Sequence, residues 1–74
     1  MRIKITNKIR DKITEYQRTT GASQVWIAQK MNISKSRLYQ IGLADDMMLS
    51  VALRVAIFFK CPIEELFDYE EVDD

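Results

Sequence analysis

Histidine is absent from this 74-residue chain, and cysteine and proline each occur once, as Cys61 and Pro62. The first absence excludes a Cys/His zinc set and catalysis by an imidazole base. A lone cysteine cannot form an intramolecular disulfide, so a chain this short depends on a well-packed core or a partner subunit. The only glycines are Gly21 and Gly42, which leaves no glycine-rich loop to cradle a phosphate. No Pro-rich or Gly/Ser-rich stretch marks a linker, and the length accommodates one small domain rather than a two-domain enzyme. Long apolar runs are missing too. The longest apolar stretch, Val51-Ala52-Leu53 resumed after Arg54 by Val55 to Phe59, falls far short of the roughly 20 residues that span a bilayer. Arg2, Lys4, Lys8 and Arg10 interrupt the isoleucines near the N-terminus, so neither a membrane span nor a secretory leader is expected, and the cytoplasm is the expected compartment. These gaps make an enzyme the weakest of the possible functions, and no cofactor or bound metal is expected.

Hydrophobic residues make up 47% of the chain and charged residues 30%, the balance of a globular domain rather than of a disordered segment. The net charge is zero, but its distribution is uneven. Residues 1–40 hold nine Lys or Arg against Asp11 and Glu15; residues 41–74 hold Arg54 and Lys60 against nine Asp or Glu. Two readings follow. The basic half can face a polyanion, or the two halves can neutralise each other inside one fold or across a dimer.

Helical periodicity dominates after the first few residues. A first helix is expected between Asn7 and Thr20, stopped by Gly21 as a C-cap. Ser23 caps a second helix, Gln24 to Met31, with Ile27, Ala28 and Met31 on one face. Asn32 supplies a left-handed corner, and Ser34 caps a third helix running to about Ile41 with Leu38 and Ile41 inward. A fourth helix opens at Asp45 or Asp46; its Leu49, Ala52, Leu53, Ala56, Ile57 and Phe59 form the densest apolar set and the expected core. Pro62 suits the first turn of a fifth helix through Ile63, Leu66 and Phe67, with Glu64 and Glu65 at its positive end. Arg2 to Thr6 alternate as an extended arm or short strand without a visible partner. The expected organisation is one domain over 1–74: a basic arm at 1–6, helices over 7–68 and a fraying acidic tail at 69–74. Trp26 is expected to pack partly on the first helix, and Cys61 to be a small buried hydrophobe.

The segment from Gln24 to Ile41 has the small and apolar residues that two steeply crossing helices need at their contact: Ala28 small, Ile27, Met31, Leu38 and Ile41 apolar, Asn32 at the turn. On Gly21-Ala22-Ser23-Gln24, Ile27 to Leu38, Ala52 to Ala56 and Cys61 to Phe67, the chain resembles the Cro/repressor-type (Xre-like) helix-turn-helix family over almost all of Ile9 to Phe67. The resemblance implies an all-α fold, a compact five-helix lambda-repressor-like DNA-binding domain, with a short N-terminal extended arm added. It further implies that the third helix enters the major groove, with Lys35, Ser36, Arg37 and Gln40 contacting bases. Gln24 would hold a phosphate, and Ser34, Tyr39 and Lys30 would support or add backbone contacts. Their chemistry suits those roles, since Lys donates to guanine, Gln pairs with adenine and Ser serves either.

The chain departs from the family at Asn32, where glycine is usual, and at Gly42-Leu43-Ala44-Asp45-Asp46, where the family commonly has Glu-Asn-Gly and then basic residues on phosphate. Asp45 and Asp46 repel a phosphate if they face it. The expected function is a sequence-specific DNA-binding transcriptional regulator, a small repressor of phage or bacterial type, acting on double-stranded DNA. The alternative is a protein-interaction module of antidote or adaptor type on the same fold. A homodimer on a palindromic site is expected, paired through Phe67, Tyr69 and Val72 or through the Arg2–Thr6 arm, the basic arm of one subunit lying on the acidic tail of the other.

Overall fold

The two ends of the chain meet. In the computed structural model, which describes residues 1–73, strand β1 (Arg2–Asn7) pairs antiparallel with β2 (Phe67–Val72) along the register Arg2 to Val72 through Asn7 to Phe67. Directly opposed residues share a face of the ribbon. One face therefore carries Ile3, Ile5, Phe67 and Tyr69, and the other carries Arg2, Lys4, Asp68 and Glu70. Between the strands lie α1 (Ile9–Thr20), α2 (Gln24–Lys30), α3 (Lys35–Leu43) and α4 (Leu49–Phe59), followed by a single 3-10 turn at Ile63–Glu65.

This architecture corrects the all-α, five-helix expectation: the described residues form four helices and a two-stranded sheet. The fifth helix shrinks to one turn because Leu66 is already committed to the strands. Its side chain is fully buried, and its carbonyl accepts the backbone N–H of Lys8 at 2.9 Å. The chain is extended from Phe67 onward, so residues 69–73 are strand and strand end rather than a frayed tail. The extended arm finds a partner here within the same chain.

Charge follows the same closure. Lys4 opposes Glu70 in the ladder, Lys8 Nζ lies 3.3 Å from Asp68, and Lys12 Nζ lies 3.7 Å from Glu65. Part of the basic N-terminal excess is thus offset inside the fold by the acidic end. On α1, Arg18 Nε donates to Glu15 at 3.2 Å, and this guanidinium holds the Glu15 carboxyl below its ordinary value.

Local signals set most helix ends. Gly21 adopts the left-handed conformation (φ 75°) and donates to the Gln17 carbonyl at 2.8 Å, closing α1 as a C-cap. Ser23 and Ser34 accept from the N–H groups of Trp26 and Arg37, each at 3.0 Å. Asn32 is left-handed (φ 60°) at the corner between α2 and α3. The start of α4 differs from expectation: it begins at Leu49, since Asp46 spends its carboxylate on the adjacent Met47 N–H at 2.8 Å and caps nothing further.

The core is centred on Ile9, Ile27, Leu38, Val55 and Leu66, all essentially inaccessible to solvent. Here the expected inward face of α4 needs rotation. Ala52, Val55 and Ala56 are buried, whereas Leu49, Leu53 and Ile57 recur at i, i+4 and i+8 on an outer ridge and are exposed. A helix apolar on nearly every side does not reveal from sequence which stripe faces in. Trp26 does pack on the first helix, stacked with Tyr16 at 6.5 Å between ring centroids and edge-on to Phe58 at 6.3 Å. Cys61 is half-buried against the core. Among the described residues, no helix is long and apolar enough to cross a membrane.

Candidate nucleic-acid interface

α3 is held from three sides. Leu38 and Ile41 enter the core beneath it. At its start, the turn from α2 is fixed by the Ile33 N–H donating to the Ala28 carbonyl at 3.0 Å, and Arg54 on α4 reaches the Met31 carbonyl at 3.4 Å. At its end, the Asn7 amide donates to the Ile41 and Ala44 carbonyls at 2.9 and 2.8 Å, satisfying two of the acceptors a helix C-terminus leaves open. Ala28, almost fully buried, is the small residue under the crossing.

At 100° per residue, the buried Leu38 and Ile41 define the inner side of α3, which puts Ser36, Tyr39, Gln40 and Leu43 on the outer ridge. All four are exposed. Lys35 flanks this ridge on one side and Arg37 on the other. Of the four expected base-contacting residues, Ser36 and Gln40 share the outermost stripe. Arg37 instead lines a crevice toward α4 with Ile33, Ser50, Val51 and Arg54.

The expected phosphate or supporting residues divide in the same way. Gln24 and Tyr39 come together around a groove of about 160 Å³ that also holds Arg10, Thr14 and Gly42. Ser34 uses its hydroxyl oxygen to cap α3. Lys30 points elsewhere: its ammonium lies 5.3 Å from the Trp26 ring centre, and it borders α4 with Leu53, Arg54 and Ile57. It does not join the α3 surface.

Two residues of this surface escape a reading of the sequence. Arg10, on α1, lines the same groove as Gln24 and Tyr39, and Leu43 adds an apolar side chain at the end of the outer ridge. Gly42 lies inside α3 against α1, and a Cβ built there would meet the Arg10 Cβ at 3.5 Å, an ordinary contact.

Electrostatically, Arg10, Lys35 and Arg37 have no ion-pair partner among the described residues, unlike Lys8 and Lys12 at the acidic strand. The α3 side therefore keeps positive charge. Asp46 lines a separate groove against the ribbon and α4, not the Arg10 groove. Chemically, the outer ridge offers a hydroxyl, an amide, a phenol and an apolar tip, bordered by cations: donors and acceptors for base edges with positive groups for phosphate. No cluster of three or more potential metal-ligating side chains occurs among the described residues. Comparison with protein-family models, with curated proteins and with solved structures gave no match.

Proposed function

We propose that this chain is a sequence-specific DNA-binding regulator of transcription, a small cytoplasmic repressor whose α3 enters the major groove of double-stranded DNA. It acts by binding rather than by catalysis. Ser36 and Gln40 read base edges, Lys35 reads guanine or steadies the helix on the backbone, and Leu43 and Tyr39 meet thymine methyl groups or sugar. Gln24 and Arg10 hold a phosphate beside the groove edge. Arg37 supplies a flanking phosphate contact.

The observation that carries this reading is the combination on α3: an inner face anchored at both ends by Asn7, Arg54 and the core, and an outer face wholly free of core duties. A polar helix face held rigidly by its neighbours is what base recognition requires. Fluorescence anisotropy with mixed-sequence duplexes, repeated over a salt series, tests it. Affinity should fall linearly with salt on logarithmic axes, with a slope reporting several displaced counterions. Binding that is undetectable at low salt would refute the proposal and favour an adaptor role.

A further inference from the structure

The end of α2 and the outer side of α4 border an apolar shelf set among cations. A recess of about 390 Å³ is lined by Leu53, Ile57 and Phe58, with Ser50, Lys30 and Arg54 beside them. Leu53 is 44% and Ile57 74% exposed, so two aliphatic side chains one helical turn apart lie open to water. Neither lining cation is loose. The Lys30 ammonium lies 5.3 Å from the Trp26 ring centre, and that ring meets Phe58 edge-on. The Arg54 guanidinium reaches the Met31 carbonyl at 3.4 Å. No Asp or Glu lines the recess, and the crevice next to it, which shares Ser50 and Arg54, adds Arg37 and again no carboxylate. Lys30 and Arg54 have no ion-pair partner among the described residues. Lys60, which ends α4, is a further exposed cation. Asp46 lines a different groove, against the ribbon.

We propose that this shelf docks an acidic amphipathic helix of another protein, with apolar anchors seated on Leu53, Ile57 and Phe58 and Asp or Glu carboxylates set against Lys30 and Arg54. Charge complementarity selects this occupant. Apolar residues at i and i+4 suit the anchors of helix-in-groove recognition, and the bordering cations fix the sign of the charges beside those anchors. Duplex DNA would bring phosphates to the cations but nothing to Leu53 and Ile57. An anionic bilayer would bring both, yet it is flat on this scale and leaves a recess empty, whereas protruding side chains fill one. A membrane-seeking surface also extends its Lys and Arg past the apolar tips toward the headgroups. Here Lys30 is folded onto Trp26 and Arg54 onto backbone. Cations already held in place lose little freedom on meeting a carboxylate. A second copy meeting shelf to shelf would bring Lys30 and Arg54 toward the same cations of the copy. The docking of an acidic helix here is independent of whether α3 reads bases.

Trp26 is the chain's single tryptophan and stands beside the shelf, so its emission reports occupancy. The probes are two tryptophan-free helical peptides with leucine at i, i+3 and i+4, one flanked by glutamate and the other by lysine, titrated into the full chain without DNA. The glutamate peptide should shift the Trp26 emission to saturation, and the lysine peptide should not. Lys30→Glu on α2 and Ile57→Ser on α4, both at exposed positions, should each weaken glutamate-peptide binding by about tenfold or more while preserving the far-UV circular dichroism spectrum. Lys4→Gln, which removes a cation from the ribbon, should leave that binding unchanged. If one shelf variant fails to fold, the other carries the test, since they lie on different elements. No response to the glutamate peptide, an equal response to the lysine peptide, or binding indifferent to the folded variants would overturn the proposal. So would phosphatidylglycerol vesicles, duplex DNA or a second copy of the chain proving to be bound through Ile57, as loss of that binding in Ile57→Ser would show.

Discussion

Asn7 and Ile41 are 34 positions apart in sequence, yet the Asn7 amide nitrogen lies 2.9 Å from the Ile41 carbonyl oxygen. The same nitrogen reaches Ala44, and the amide oxygen of Asn7 accepts the Ile9 N–H at 2.9 Å. One side chain thereby caps the start of α1 and fastens the end of α3. Asn7→Asp keeps the acceptor for Ile9 but turns an oxygen toward two carbonyls. The expected loss is about 1–3 kcal/mol, the cost of leaving partly buried acceptors unsatisfied. Thermal melting followed by circular dichroism should show a drop of several degrees, and no drop would mean that the anchor is dispensable.

The core lies on the Val55 side of α4, not along Leu53. Leu66→Ala, at a fully buried position, should cost about 2–5 kcal/mol, enough to unfold much of so small a domain. Leu53→Ala, at a position 44% exposed, should cost less than about 1 kcal/mol. Urea titrations of both variants check the order; equal losses would contradict the assigned face.

At the corner between α2 and α3, Asn32 holds a φ of 60°. Glycine adopts this conformation freely and β-branched residues resist it. Asn32→Gly should therefore stay within about 1 kcal/mol of the parent, while Asn32→Val should lose about 1–2 kcal/mol or more. Denaturant midpoints measure both, and a tolerated valine would show that the corner relaxes.

Much of this was legible in the sequence wherever a single residue carries the physics. Gly21, Ser23, Asn32 and Ser34 act on their own backbone neighbours, so their roles as caps and corner follow from residue type and spacing. The alternation of Arg2 to Thr6 likewise betrays an extended segment. Its partner is hidden because Phe67 to Val72 alternates imperfectly, with Glu71 on the apolar side, and because it pairs with the far end of the chain. On α3, the identities of Ser36 and Gln40 as outer residues follow from the burial of Leu38 and Ile41. Arg10 does not, because only the approach of α1 to Gly42 brings it to the same groove.

Arg10 and Gln40 should fail differently on DNA. On the proposed reading Arg10→Ala removes a phosphate contact, so affinity should fall to a similar degree on every sequence and the salt slope should shrink by about one. On the same reading Gln40→Ala removes a base contact, and should cost about 1–3 kcal/mol on the preferred site and little elsewhere. Both are exposed and should leave the melting curve nearly unchanged. Anisotropy titrations on matched and scrambled duplexes distinguish the two patterns, and identical behaviour would contradict the division of the α3 surface into reading and positioning groups.

The most direct test of α3 as a reading helix is selection of bound duplexes from a randomised pool, carried out in parallel with the parent chain, Ser36→Ala and Gln40→Ala. The parent should enrich a defined sequence, and each variant should lose preference at its own base position while keeping the rest. Failure of the parent to enrich any sequence, or enrichment of the same sequence unaltered by both variants, would contradict the account.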